Sequence, residues 1–194
     1  MISVQAWSDA QRLWDFQQMH HEPRPCSAGI VLGGRGPGVV GTAVELYRRR
    51  MVPVVVVAGG AAGERVVELG VPAGAVLVAP DAPDADGAIR GARALLDGRG
   101  VEVASVLLVT GPYAERGAHA AARAVWPEAE VVVASPPLTL REYVDAVQDV
   151  RLVFDILVGA QQRLPLAGRE APGAVAEAYG RLCAEGFTGR VVPA

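Results

Sequence analysis

The residues best placed for chemistry follow an apolar run in the second half of the chain. The stretch 103–118 reads VASVLLVTGPYAERGA, and Thr110, Gly111, Tyr113 and Arg116 come directly after its apolar part. Such a run is typical of a buried parallel strand, and open α/β sheets bind ligands just beyond the carboxyl ends of their strands. A guanidinium pairs with a carboxylate through two parallel hydrogen bonds, so Arg116 is predicted to clamp the anionic end of a ligand. The alternatives are an ion pair with the adjacent glutamate or a hydrogen bond to a strand-end carbonyl.

A glycine-rich turn, GGRGPG, follows an earlier apolar run at residues 28–32. Glycines let the backbone approach a ligand and leave the first N–H groups of the next helix free to bind an anion. The spacing fits both the G-x-G-x-x-G dinucleotide fingerprint and the glycine loop of Rossmann-type methyltransferases. Both kinds of site need an acidic residue at the end of the following strand, where this chain has A-G-G at residues 58–60. A tight turn that binds nothing is the alternative.

Carboxylates accompany two further strand ends. Glu64 lies at the start of a predicted helix, where either stabilisation by the helix dipole or a ligand contact would explain it. Asp81, Asp84 and Asp86 precede another predicted helix, and three aspartates without further ligands favour helix capping over a cation site. We therefore predict no metal site, and we place Asp84 and Asp86 at the rim of the ligand pocket. The candidate catalytic residues are Glu64, Asp86 and Arg116.

Five apolar runs alternate with helical patterns, which predicts an α/β fold with a five-stranded, mainly parallel sheet. The predicted strands are residues 28–32, 53–57, 75–78, 105–109 and 130–133. Their carboxyl ends would meet at one rim of the sheet. The chain is predicted to form a single Rossmann-like domain over 1–194, with an N-terminal helix and lead-in over 1–27, an α/β core over 28–162, and a linker and C-terminal helix over 163–194.

Two helices outside the alternating core are predicted from their caps and their periodicity. Residues 8–19 are amphipathic, and Ser8 or Asp9 is the predicted cap. Thr139 is predicted to cap a single long helix over 140–162, whose apolar residues recur with a period near 3.6.

Composition excludes several classes of function. The 194 residues carry a net charge of -3, so no basic surface for a nucleic acid is expected. All 18 basic residues are arginine, which excludes Schiff-base chemistry and a P-loop lysine. The longest apolar runs are shorter than the roughly 20 residues that span a bilayer, and the two cysteines show no metal or redox spacing. We expect a cytoplasmic bacterial protein without a membrane partner, and the sequence does not indicate an oligomeric state.

In chain order, the motifs LGG, AGG, GVP, VTGPYAERGA and VWPEAEVVVASPPLTLREYV resemble those of the ElyC/SanA/YdcF family, and specifically its YdcF-like branch. The N-terminal LWDFQQMHHEPRPC is similar to the lead-in helix of that branch, so the resemblance covers nearly the whole chain. It implies a Rossmann-like fold that binds S-adenosylmethionine. The P-Y-x-x-R motif places Pro112, Tyr113 and Arg116 on family positions.

The chain departs from this family pattern along one rim of the predicted sheet. Family members have a glutamate at the end of the third strand and an N-T-x-x-N-type run after it, where this chain has Ala79, Asp84, Ala85 and Ala88. Gly117 replaces the second arginine of an R-R pair. Each lost hydrogen-bond partner is worth about 1 kcal/mol. These differences favour a changed ligand or weaker binding.

The residues and the resemblance together predict a protein that binds a small adenosyl-type ligand, S-adenosylmethionine first, at the strand ends. As an enzyme it would transfer a group from that cofactor to a small metabolite. The alternatives are a non-catalytic binding or regulatory relative that has lost the family's polar motif, and a hydrolase or transferase of phosphorylated or cell-envelope intermediates. The residues predicted to contact the ligand are Gly33, Gly34, Arg35, Gly59, Gly60, Glu64, Asp84, Thr110, Gly111, Tyr113 and Arg116.

Overall fold

A computed structural model describes residues 2–34, 36–164 and 171–188. Within these ranges the chain forms two compact units. The sheet unit comprises residues 20–111 and 118–136, and the helical unit comprises residues 2–19, 112–117, 137–164 and 171–188. The prediction of one domain over the whole chain stays a prediction.

The order of strands and helices follows the alternation that the sequence predicts. The strands are β1 (Ala28–Val31), β2 (Val55–Ala58), β3 (Val76–Ala79), β4 (Ser105–Val109) and β5 (Glu130–Ala134). The helices are α1 (Val4–Gln17), α2 (Val39–Arg48), α3 (Gly60–Glu68), α4 (Ala85–Gly98), α5 (Glu115–Val125), α6 (Leu140–Val147), α7 (Val150–Gln162) and α8 (Gly173–Ala184). None of the helices in the described ranges has the length and apolar character that crossing a membrane requires.

All five strands join one parallel sheet in the order β3-β2-β1-β4-β5. The central strand β1 aligns Gly29 with Val55 of β2 on one side and with Leu107 of β4 on the other. The Rossmann-like α/β prediction is therefore confirmed. Because the strands are parallel, the turns that follow β1, β2 and β3 lie at the same edge of the sheet.

Alternate residues of the strands bury one face of the sheet against α2 and α3. Side chains in a strand alternate between the two faces, and Val31, Val57 and Leu107 belong to one buried cluster with Val44 of α2 and Val66 of α3. Each fully buried side chain of this size stabilises the fold by roughly 1.5–3 kcal/mol. This packing fixes where α2 and α3 begin, and so fixes the turns that precede them.

The first helix begins earlier than predicted. Its N-cap is Ser3, whose Oγ accepts a hydrogen bond from the N–H of Ala6 at 2.9 Å, so the predicted caps Ser8 and Asp9 are wrong. Asp9 lies inside the helix with 0% of its surface exposed and accepts two hydrogen bonds of 2.8 Å from the Arg181 guanidinium of α8. A residue type that favours caps is used here for a buried ion pair, which local sequence cannot reveal.

The predicted single helix over 140–162 is also wrong, because the structure divides it into α6 and α7. Gln148 ends α6 in a left-handed conformation with φ 59°. Asp149 then caps α7 by accepting a hydrogen bond from the N–H of Leu152 at 2.9 Å. The apolar period continues across the break, which is why periodicity alone predicts one helix.

Thr139 caps α6 as predicted. Its Oγ1 accepts from the N–H of Glu142 at 3.2 Å, and the Glu142 carboxylate accepts from the N–H of Thr139 at 2.8 Å, which lowers the pKa of Glu142. We expect Thr139→Ala to lower the free energy of unfolding by about 1 kcal/mol, because one N–H loses its acceptor. Thr139→Ser should retain stability. Urea denaturation measures both, and an equal loss in the two variants would contradict the capping role.

Candidate functional site

A cleft of about 670 Å³ lies at the carboxyl ends of β1, β2 and β3 in the sheet unit. The turn after β1, the turn between β2 and α3, and the segment after β3 each supply part of its wall. The residues that line it are Gly33, Gly34, Ala58, Gly59, Gly60, Ala61, Ala62, Arg65, Asp81 and Ala82. The structure thus brings together four of the glycines that the sequence singles out. Arg35, predicted beside them, lies outside the described residues.

Gly59 is the position in the cleft where a side chain is least tolerated. Its φ is +83°, a conformation that L side chains rarely adopt. A Cβ atom at this position would overlap Oδ1 of Asp81, so the Asp81 carboxylate packs directly against the Gly59 backbone. The N–H of Gly59 donates to the carbonyl of Ala79 at 3.1 Å, which joins the ends of β2 and β3. Glycine therefore sets the distance between the β2 turn and this carboxylate.

The cleft carries charge of both signs. Gly59 is the N-cap of α3 and supplies no side-chain acceptor, so the positive end of the helix dipole faces the cleft at Gly60, Ala61 and Ala62. Arg65 adds a guanidinium, which also pairs with Glu68 of the same helix at 3.0 Å. Asp81 supplies a carboxylate, which lies against the backbone of Gly59 at the start of α3.

The acidic residues that the sequence predicts at the ligand site, Glu64, Asp84 and Asp86, are not among the residues that line the cleft. Asp84 caps α4 by accepting from the N–H of Gly87 at 2.8 Å, and Asp86 pairs with Arg90 at 3.5 Å on the exposed side of that helix. Glu64 is exposed on α3, one residue before the arginine that lines the cleft. The capping alternative is confirmed for Asp84. The ligand and catalytic roles of Glu64, Asp84 and Asp86 stay predictions.

Asp81 and Arg65 are the charged residues of the cleft that sequence reasoning missed. The sequence pattern favours helix capping for Asp81, and on α3 it points to Glu64 and not to the adjacent Arg65. A signal for Asp81 exists in the sequence, since it follows β3 by only two residues and must lie at the same edge as the glycine turns. No signal distinguishes Arg65 from Glu64, because the rotation of α3 about its axis depends on packing.

Thr110 and Gly111 are buried at the end of β4 and do not line this cleft. The N–H of Thr110 donates to the carbonyl of Ala134 at 3.1 Å and so extends the pairing between β4 and β5. Only 4% of the Thr110 surface is exposed. The structure therefore gives Thr110 a role in the sheet, and its predicted ligand contact stays a prediction.

Tyr113 and Arg116 lie in the helical unit, where the structure shows contacts with the chain itself. Arg116 Nε donates to the carbonyl of Phe16 at 2.7 Å, and its guanidinium lies 4.3 Å from the centre of the Phe16 ring. This carbonyl belongs to the last turn of α1, whose carbonyls have no partner within the helix. The Tyr113 ring packs edge-on against Tyr143 at 5.8 Å, and burial, with Tyr113 beside it, raises the pKa of Tyr143. Arg116 as an anion clamp stays a prediction.

No family model matches the chain. A protein of Streptomyces coelicolor, "Uncharacterized protein SCO4629", is 48% identical over 215 residues, which cover 100% of this chain and 97% of that protein. This chain belongs to the same family. The name of the relative states no activity.

The cleft of this protein suits a ligand that carries both hydrogen-bond donors and hydrogen-bond acceptors. Asp81 can accept hydrogen bonds from hydroxyl or amino groups, whereas the N-terminal N–H groups of α3 and the Arg65 guanidinium can donate to a carboxylate. Ligand pockets for small molecules typically measure about 300–1,000 Å³, and the cleft falls in that range. Its walls of glycine and alanine let a ligand approach the backbone closely.

Proposed function

We propose that this protein binds a small adenosyl-type ligand, S-adenosylmethionine first, in the cleft at the ends of β1, β2 and β3. The proposal rests on the close contact between Gly59 and Asp81. Because Gly59 has no side chain, the Asp81 carboxylate lies directly against the backbone of the turn after β2. Asp81 would accept hydrogen bonds from ribose hydroxyls, replacing the acidic residue that is absent at the end of β2. The start of α3 and Arg65 would hold the carboxylate of the ligand.

Membership of the YdcF-like branch and a cytoplasmic location belong to the same proposal. The sequence motifs support membership of that branch, and a Rossmann-like sheet with glycine turns at the carboxyl ends of its strands is consistent with it. This chain lacks the N-T-x-x-N-type run of the family after the third strand, and Asp81 would supply one polar group at that rim of the sheet.

As an enzyme the protein would be a transferase. Bound S-adenosylmethionine supplies an electrophilic group next to a sulfonium, and the contribution of the protein would be mainly orientation. Among the described residues, the ionisable side chains that line the cleft are Asp81 and Arg65, and the other lining residues are glycine and alanine. That sparse lining also favours a second candidate, a binding protein without catalysis. Product formation from labelled S-adenosylmethionine in a cell extract separates the two.

Isothermal titration calorimetry with S-adenosylmethionine, adenosine and NAD tests the binding site. We expect Asp81→Asn to weaken binding of S-adenosylmethionine by about tenfold or more, because a hydrogen bond to a charged group is worth roughly 1.5–3 kcal/mol. Asp97→Asn is the matched control, since Asp97 is an exposed carboxylate near the C-terminal end of α4 that pairs with Arg93 and does not line the cleft, and the affinity of this variant should change by less than twofold. If wild type and Asp81→Asn bound S-adenosylmethionine with equal affinity, Asp81 would not be a ligand contact. If NAD bound more tightly than S-adenosylmethionine, NAD would be the better candidate for the ligand of the cleft.

A further inference from the structure

A second cavity of about 520 Å³ lies in the sheet unit at the end of α2. The last turn of α2 supplies Tyr47 and Arg48, and Arg50 follows directly. The other lining residues are Pro25, Cys26, Val52 and Pro53, which precede β1 and β2. The cavity is therefore built at the amino ends of these strands, whereas the cleft described above lies at their carboxyl ends.

The charge in this cavity comes from two guanidinium groups. Within the part of the chain that the structure describes, no carboxylate contributes to its lining and neither Arg48 nor Arg50 forms an ion pair. Arg48 is held in place, because its Nη2 donates to the carbonyl of Leu69 at 2.6 Å. Its remaining N–H groups, and those of Arg50, are available to an anion.

The backbone at Arg50 has a left-handed conformation that is unfavourable for an arginine. The N–H of Arg50 donates to the carbonyl of Tyr47, and the N–H of Met51 donates to that of Leu46, while Arg50 is left-handed with φ 59°. The ends of α3, α4 and α8 repeat this hydrogen-bond pattern. In those helices the left-handed residue is glycine, at Gly70, Gly100 and Gly186. Glycine suits this position best, because it has no Cβ.

We propose that this cavity binds the phosphate of a small phosphomonoester. Arg48 and Arg50 would hold the phosphate, since guanidinium groups match its geometry with paired hydrogen bonds. The organic part would lie over the Tyr47 ring and the apolar surfaces of Pro25, Val52 and Pro53. The proposal does not depend on the ligand of the cleft.

Titration with phenyl phosphate, inorganic phosphate and phenol, followed by calorimetry and by backbone amide shifts in residues 47–52, tests the site. Phenyl phosphate should bind wild type, and Arg50→Gly should weaken its binding at least tenfold, with Arg50→Lys in between. Arg49→Ala is the control, because Arg49 is an exposed neighbour of equal charge that does not line the cavity. The affinity of Arg49→Ala for phenyl phosphate should stay within twofold of that of wild type.

The melting temperature separates a ligand-binding role for Arg50 from a structural one. Without ligand, Arg50→Gly should melt at or above the temperature of wild type, because glycine relieves the left-handed conformation. A lower melting temperature, or unchanged affinity in Arg50→Gly, would overturn the proposal. Equal binding of phenol would also overturn it, whereas equal binding of inorganic phosphate would retain the anion site and make free phosphate its occupant.

Discussion

Gly59→Ala is expected to lower the free energy of unfolding by about 1–3 kcal/mol and to abolish ligand binding in the cleft. Two effects coincide at this position. A φ of +83° with ψ 144° is a conformation that alanine adopts only with strain of that size. The new methyl group would also overlap Oδ1 of Asp81 and displace the carboxylate that faces the cleft. Urea denaturation measures the first effect, and calorimetry with S-adenosylmethionine measures the second.

Gly60→Ala is the matched control one residue later. No atom lies within 4 Å of a Cβ at Gly60, and this residue begins α3 with ordinary backbone angles. Alanine favours helices over glycine by about 1 kcal/mol, so stability should be unchanged or slightly raised. Gly60 itself lines the cleft, so the control concerns stability: if both variants lost the same stability, the conformation of Gly59 and its contact with Asp81 would not account for the loss.

Asp9→Ala is expected to destabilise the helical unit by about 2–3 kcal/mol. The Asp9 carboxylate is fully buried and accepts from both ends of the Arg181 guanidinium, with further bonds from Gln5 and Arg12. Breaking a buried pair typically costs about 3–5 kcal/mol. We expect a smaller loss here, because the partner Arg181 is 40% exposed and can be rehydrated. Asp15→Ala, an exposed position on the same helix, should change stability by no more than about 0.5 kcal/mol.

The same pair predicts a pH dependence. Hydrogen bonds from Arg181 lower the pKa of Asp9 in the folded protein, against the opposing effect of burial. The carboxylate therefore contributes its full stabilisation above its unfolded pKa of about 3.9, and that contribution disappears as the pH falls through the lower folded pKa. The difference in unfolding free energy between wild type and Asp9→Ala should be constant from about pH 5 to 7 and should shrink below about pH 4. A difference that grows on acidification would contradict the ion pair.

The strands and the edge of the sheet where the cleft lies could be predicted from the sequence. Short Val and Leu runs between helical patterns predict a parallel sheet. The observed strands β1 to β5 lie within two residues of their predicted bounds. Glycines directly after two of these runs had to lie at one edge, which is why Gly33, Gly34, Gly59 and Gly60 come together. These features depend on chain neighbours and on the parallel arrangement alone.

Features that depend on packing between distant residues were decided only by the tertiary structure. Asp9 is a buried partner of Arg181 rather than a helix cap, and Arg116 donates to the carbonyl of Phe16. The rotation of α3 presents Arg65 to the cleft, and the approach of β3 to β2 brings Asp81 against Gly59. A side chain's partner is set by distances in space between segments far apart in the chain, and residue type and local spacing do not contain those distances.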